Sequence, residues 1–503
     1  MKTLSESGEM TDPHALVPNE RTFEGMRRYV PLIVVLLAVV SILLSVMKIV
    51  SYGYLPPDDA LRHAAKAVSG KPWNQILVMR PDFTIDHNYG WHQILGLLHH
   101  TFGWGPDALV VFSVSSLLIL FCLTPLPWLR RPEAWLMVLF GASLYGSLVR
   151  MTLGRPFILT CAITLAVLLV WRRERKPGIV LVLATVLLTA AAVWIHGSWY
   201  LFALPVFAFL LAGRWRSTLQ LSVCWLAGTV IGASLTGHPV GFIVQAVRIM
   251  TSCFGHNTLQ RMLVSEFQPS DGAFQVVLAV VLMLLFRKMR GLDCGSSLKN
   301  PIFMLAGLGW LFGLAVRRFW VDWGAPAAFL WLALETQEYL ESRWSRTSLV
   351  RLATTAVVAG GFYLSFASDS GSRWTRNLTD EYLTAQNPEL AGWLPEEGGI
   401  LYSAEMNIFY ETYFKNPHAE WRYVLGFEPT FMTPEDLKIY RNIQWNFGAT
   451  KAYLPWVEKM RVEDRLAVRG AASSQPAIKE LEWHYAVSSI WLGRLPRTPP
   501  AKP

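Results

Sequence analysis

Apolar blocks with few charges recur between residues 29 and 367, and no other feature restricts this chain as much. Crossing the roughly 30 Å hydrocarbon layer of a bilayer takes about 20 apolar residues in a helix. Residues 29–50 meet that length, follow Arg27 and Arg28, and end without a small-residue cleavage site, so they read as an uncleaved anchor. Further blocks at residues 108–126, 134–148, 156–171, 178–195, 199–211, 218–235, 272–286, 302–316, 325–334 and 349–366 bring the expectation to about eleven spans. Composition agrees: 52% of residues are hydrophobic and only 16% charged, against roughly 45–50% and 25% in soluble chains. Collagen, coiled coil, disorder and a small disulfide scaffold are excluded. The net charge of +9 fits membrane orientation rather than nucleic-acid binding, because no basic run is long enough for the latter.

Alternate connections carry the basic residues: Arg130 and Arg131; Arg172, Arg173, Arg175 and Lys176; Arg214 and Arg216; Arg287, Lys288, Arg290 and Lys299; Arg343 and Arg346. Cytoplasmic loops hold such an excess, so the tail of residues 1–28 is expected inside. An odd number of crossings then places residues 369–503 outside, in the periplasm of a bacterial inner membrane. The expected architecture is an α-helical polytopic membrane domain over residues 29–368, with outside loops 51–107 and 236–271, followed by a small extracytoplasmic α/β domain. In that domain short apolar stretches at residues 400–402, 423–425, 452–454 and 490–492 alternate with helical ones, and Thr433 and Pro434 are a helix start. Loops as long as 51–107 usually carry function. Residues 59–69 and 89–102 within it have helical apolar spacing and are expected at the membrane surface, as a platform over a cavity. The exported tail has no cysteine, so no disulfide framework is implied.

Directly after the first span, Pro56-Pro57-Asp58-Asp59-Ala60-Leu61-Arg62-His63 sets two carboxylates at the outer surface where a helix begins. Asp58 is suited to capping that helix and Asp59 to its positive end. Alternatively one of them deprotonates an acceptor or binds a metal while Arg62 tunes it. Asp86, His87, Asn88 and His92 crowd acid and imidazole groups further along the loop. Asp86 is the best second carboxylate, unless it only closes a turn with Asn88 and Gly90. No His/Cys spacing supports a zinc site.

Six arginines lie against the positive-inside trend: Arg150, Arg155, Arg248, Arg261, Arg317 and Arg318. Guanidinium forks match phosphate oxygens, so together with Arg62 they are candidate ligands for the phosphate of an anionic lipid headgroup. The alternative is that they pair with Asp58, Asp59, Glu266 and Asp322, or with ordinary phospholipid. His63, His92, His196, Trp199, Glu266 and Asp322 are candidate substrate contacts; His196 and Trp199 sit among aromatics that suit sugar stacking as well as an interfacial belt.

This arrangement resembles the GT-C superfamily of integral-membrane glycosyltransferases, through Asp58-Asp59-Ala60-Leu61-Arg62-His63 after the first span. The tail segments Ile400-Leu401-Tyr402-Ser403 and Tyr423-Val424-Leu425-Gly426-Phe427-Glu428-Pro429-Thr430-Phe431-Met432 are similar to ones that follow the spans in bacterial GT-C-like proteins. The resemblance implies hexosyl or pentosyl transfer from a polyprenyl-phosphate-linked donor to a glycan, lipid or protein acceptor at the periplasmic face. It makes Asp58 or Asp59 the base and leaves a divalent cation, Mg or Mn, open as cofactor. The Trp-Trp-Asp-Tyr-Gly signature of oligosaccharyltransferase catalytic subunits is absent from the tail, which argues against whole-glycan transfer to asparagine. The competing expectation is a non-catalytic membrane component of polysaccharide or lipid-linked glycan export. Membrane lipids are partners under either reading, and nucleic acid under neither.

Overall fold

The computed structural model describes residues 27–174, 177–254 and 265–497. It is mostly helical, with one small sheet. In chain order the principal helices are α1 (Val30–Ser51), α2 (Asp59–Ser69), α3 (Tyr89–Phe102), α4 (Pro106–Leu123), α5 (Pro132–Leu144), α6 (Phe157–Trp171), α7 (Ile179–Ile195), α8 (Ala203–Leu211), α9 (Trp215–Ser234), α10 (Pro239–Phe254), α11 (Phe274–Met289), α12 (Pro301–Gly313), α13 (Ala325–Arg343) and α14 (Leu349–Ala367).

Three helices are long and apolar enough to cross a membrane: α1, α4 with its continuation to Trp128, and α14; α9 and α10, bent by 110° at their junction, would supply a fourth. The expectation of about eleven spans is therefore not met on helix length. Helices α5, α6, α7 and α12, of 13 to 17 residues, are apolar but short; at 1.5 Å per residue they reach about 20–25 Å. One end of α6, at Phe157, and the residue that follows α7, His196, line a cavity.

The helix expected to lie flat at the surface is instead a core element. Ala60, Leu61, Arg62, His63, Ala64, Ala65 and Ala67 of α2 are all buried, because α2 is packed by α3, by α4 and by α15 (Met406–Lys415) of the C-terminal region. Helix α3 keeps an apolar face of Trp91 and Leu95 inside while Leu97 and Phe102 are exposed.

After α14 the chain forms a mixed five-stranded sheet in the order β2-β1-β3-β5-β4, from β1 (Ile400–Ser403), β2 (Arg422–Tyr423), β3 (Arg465–Arg469), β4 (Glu482–Tyr485) and β5 (Ile490–Arg494). β1 runs parallel to β2 and β3, and β5 antiparallel to β3 and β4. Helix α16 (Pro434–Trp445) begins as its sequence dictates, Thr433 Oγ1 accepting from the Asp436 amide at 3.2 Å. The apolar stretch 452–454 is helical rather than extended. β3 carries arginines at both ends, so its sequence lacks a plain apolar run, yet Arg465 to Val468 are buried.

The sheet is seated on the connection between α1 and α4. Val78 N donates to Tyr423 O at 2.9 Å and Arg80 N to Phe431 O at 2.8 Å. Ser69 Oγ and Tyr413 Oη share a hydrogen bond of 2.8 Å, and Asn377 Nδ2 donates to Leu55 O at 2.7 Å. These contacts turn the 423–431 segment into part of the wall of a cavity.

Candidate active site

Beneath that seat lies a cavity of about 370 Å³, whose wall includes Asp58, Asp59, Arg62, His63, Arg150, Arg155, His196, Glu266, Arg318 and Glu428. Its floor comes from helix ends, where backbone groups and charged side chains are free to point inward. Pro56 and Pro57 precede α2, and Asp58 caps it, accepting from the Asp59 amide at 2.5 Å. Arg62, one turn on, donates to Asp59 at 2.7 Å and lies 3.9 Å from the Phe427 ring centroid.

Arg155 enters between a short turn (Val149–Thr152) and α6. The turn into it needs a glycine at 154: φ is +65°, and a Cβ there would stand 3.0 Å from that of Ala60. That close approach delivers Arg155 to the cap of α2. Its Nη2 lies 2.7 Å from both oxygens of Asp58, its Nε is 3.5 Å from Asp59, and its Nη1 bonds Glu266. Arg150 bonds Asp322 and donates to Glu266 at 2.9 Å. Arg318 donates to Asp322 at 3.1 Å and stands 4.0 Å from Glu266. Asp322 rides on a π-helical turn (Trp320–Gly324) that packs glycine on glycine against α12 at Gly309.

The charges are thus interleaved, and for Arg150, Arg155 and Arg318 the alternative partners weighed are the ones they have. Burial pushes Asp58 above the usual carboxylate range despite Arg155. Burial acts the same way on Asp59 and Glu266, but Arg62 and Arg155 hold Asp59 well below that range, and Arg155 and Arg150 do so for Glu266. Glu428 differs. Among the described residues its half-buried carboxylate has no hydrogen-bond or ion-pair partner, and burial raises it to about 7 against the pull of Arg318.

Asp86 is not on the cavity wall. It accepts from the Asn88 amide at 3.0 Å, closing the expected turn, and its other oxygen contacts His92 Nδ1 at 2.5 Å. His92 is likewise behind the wall, its Nε2 2.7 Å from His63 Nδ1, so the carboxylate reaches the cavity only through two imidazoles. His196 is on the wall, at the C-terminal end of α7, its Nδ1 buried without a protein partner.

Other expected residues fall elsewhere. Arg248 and Arg317 are exposed and off the wall. Trp199 packs against Trp225 and is not a wall residue, its neighbours Ser198 and Tyr200 taking that place. Asp322 is buried behind Arg150 and Arg318 rather than lining the space. Arg261 lies outside the described residues. No group of three or more metal-ligating side chains occurs among the described residues; the site carboxylates other than Glu428 are engaged by guanidiniums.

Glu428 is among the wall residues that sequence reasoning missed as site residues, with His87, Tyr200, Asn407 and Tyr410, although its segment stood out by resemblance. A glutamate in a polar tail carries no local signal.

No family model and no curated protein sequence matches the chain. Among solved structures it is similar to the Archaeoglobus fulgidus oligosaccharyltransferase tethered with an acceptor peptide containing the NVT sequon, at 11% identity and TM-score 0.50, covering 89% of this chain and 70% of that one. The apo form of that enzyme aligns at 12% identity and TM-score 0.46, over 89% and 69%. At such identity the likeness establishes the fold alone.

Proposed function

From a GT-C fold with a charged cavity between its helix ends and its C-terminal sheet, we propose a membrane glycosyltransferase that moves a sugar from a polyprenyl-phosphate carrier to an acceptor hydroxyl. The observation that carries this reading is the convergence of Arg150, Arg155 and Arg318 on the single carboxylate of Glu266. A carboxylate that gathers three guanidiniums occupies a place suited to phosphate oxygens, and guanidinium forks exchange one oxyanion for the other. With donor bound, the arginines neutralise the charge that accumulates on the departing lipid phosphate, in a preorganised site where that counts most.

Asp58 and Asp59 are both engaged by guanidiniums, so we assign them to holding Arg155 and Arg62 in place rather than to taking the acceptor proton. Glu428 faces the clamp from the C-terminal side and suits hydrogen bonding to sugar hydroxyls. The outer face, the bacterial inner membrane, and residues 369–503 as an extracytoplasmic domain belong to the same proposal.

The test is release of label from radiolabelled polyprenyl-phosphate sugars by the purified protein in native lipid. Turnover that is lost in Arg155→Gln and Arg318→Gln, together with carrier retention, supports the reading. Carrier retained by the wild type with no turnover for any sugar of the panel moves it to a non-catalytic component of glycan export.

A further inference from the structure

We propose that His63 is the general base of this cavity and that Asp86, through His92, fixes its tautomer and receives its charge; the proposal rests on the sugar-transfer reading above. The geometry is a line of three titratable groups ending on the wall. Asp86 Oδ2 is 2.5 Å from His92 Nδ1, and His92 Nε2 is 2.7 Å from His63 Nδ1. His63 and His92 are buried and Asp86 is largely so.

The proton positions follow from the acceptor at the far end. An ionised carboxylate only accepts, so His92 carries its proton on Nδ1 and presents a lone pair at Nε2. That lone pair accepts from His63, which therefore carries its proton on Nδ1 and presents its own lone pair at Nε2. Among the described residues His63 Nε2 has no hydrogen-bond partner, while the residue lines the cavity between Arg62 and His196. Asp86 is thus read out two rings away as a bare imidazole nitrogen beside the phosphate clamp.

The reaction balances without another partner. The acceptor O–H bond breaks and its proton goes to His63 Nε2. The acceptor oxygen forms the new bond to the sugar's anomeric carbon, and the carbon–oxygen bond to phosphate breaks with its electron pair leaving on the lipid phosphate. His63 passes its Nδ1 proton to His92 Nε2, so that the positive charge rests beside Asp86 rather than beside Arg62. Burial holds both imidazoles below the usual histidine range, His63 further than His92, where Asp86 opposes the effect. Both imidazoles therefore stand uncharged at neutral pH, with the anionic charge on Asp86. The other charged and titratable groups facing it include Lys66 and Arg62 on α2, the latter paired with Asp59, His87 on the same loop, His196 after α7 and Tyr413 on α15; Lys66 and Arg62 oppose protonation.

Two measurements test this. In the full-length protein labelled with 15N-histidine, with signals assigned by His63→Gln and His92→Gln, His63 should be protonated on Nδ1 and bare on Nε2 at pH 7. A proton on His63 Nε2 overturns the proposal whatever the enzyme's activity. In label release, His63→Gln should lower kcat about 100-fold. Asp86→Asn, which can still accept from His92, should lower kcat at least tenfold and move the acid limb of the pH profile to lower pH. An unmoved limb, or a limb that disappears in Glu428→Gln and not in the relay variants, overturns it. Carrier retention, read on the same samples, should persist in the relay variants. A wild type that retains no carrier and releases no label refutes the sugar-transfer reading and the catalytic role of His63 together, while the tautomer signals report on the relay alone.

Discussion

A single nitrogen of Arg155 contacts both carboxylate oxygens of Asp58, Nη2 standing 2.7 Å from each. The two residues come from different connections, 97 positions apart, so this contact ties the cap of α2 to the start of α6. Removing either partner leaves the other's charge poorly compensated in a largely buried site. Arg155→Gln and Asp58→Asn should each destabilise the detergent-solubilised protein by about 2 kcal/mol. The double variant should lose less than the sum of the two, which thermal unfolding of all four proteins measures.

The placement of Glu428 makes a signed pH prediction. Its folded-state value of about 7 lies above its ordinary value of 4.5. Between those two values the folded protein holds a proton that the unfolded chain has released, so stability falls as pH rises across that window and is level above it. Glu428→Gln removes this dependence. It should raise the melting temperature at pH 8, by an amount equivalent to about 1–2 kcal/mol, and leave it unchanged at pH 4. A variant no more stable than wild type at pH 8 would show that the carboxylate is charged at no cost in the folded state.

The wall arginines and the exposed ones should separate cleanly in carrier binding. Arg150, Arg155 and Arg318 surround Glu266, whereas Arg248 and Arg317 point away from the cavity. Arg318→Ala should weaken retention of a polyprenyl phosphate at least tenfold, since a charge-assisted hydrogen bond is worth about 1.5–3 kcal/mol. Arg248→Ala and Arg317→Ala should leave retention unchanged. Equal losses at all three positions, measured by filter retention of labelled carrier, would reduce the effect to general membrane electrostatics.

What the sequence discloses about this site is what local spacing encodes. The cap at Asp58, the Asp59 to Arg62 contact across one turn and the turn at Asp86 all follow from residues within a few positions of one another. The partners of the arginines do not: Arg150 meets Asp322 across 172 positions and Glu266 across 116, and only the packing of α2, α6 and the π-helical turn brings them together. Outward polarity marked these arginines as needing anions, yet Arg248 and Arg317 carry the same signal and fall on outward faces. The His92 to His63 bond joins two helices whose amphipathic spacing is visible, but which face of each meets the other is set by the C-terminal region covering α2. Glu428 gains its role from that same covering. Helix length supports three candidate spans rather than showing eleven, because apolar composition reports burial as readily as lipid contact, and short helices such as α5 and α12 have protein around much of their surface.

Gly154 offers a test of how closely the clamp is held without touching any charged group. Its φ of +65° is one that a side chain resists, and an added Cβ would meet Ala60 Cβ at 3.0 Å and Val114 Cγ2 at 3.2 Å. Neither neighbour has room to retreat, since Ala60 and Val114 are both core residues. Gly154→Ala must therefore move the backbone that carries Arg155, or α2 that carries Asp58, and either shift lengthens the 2.7 Å contacts between them. The expected outcome is a loss of about 1–3 kcal/mol in stability, accompanied by weaker carrier retention although every guanidinium is still present. Gly146→Ala, at another positive φ but with open space around its Cβ, is the control. It should cost about 1 kcal/mol from backbone strain and leave carrier retention intact, and the difference between the two variants isolates the role of the close approach in aiming Arg155.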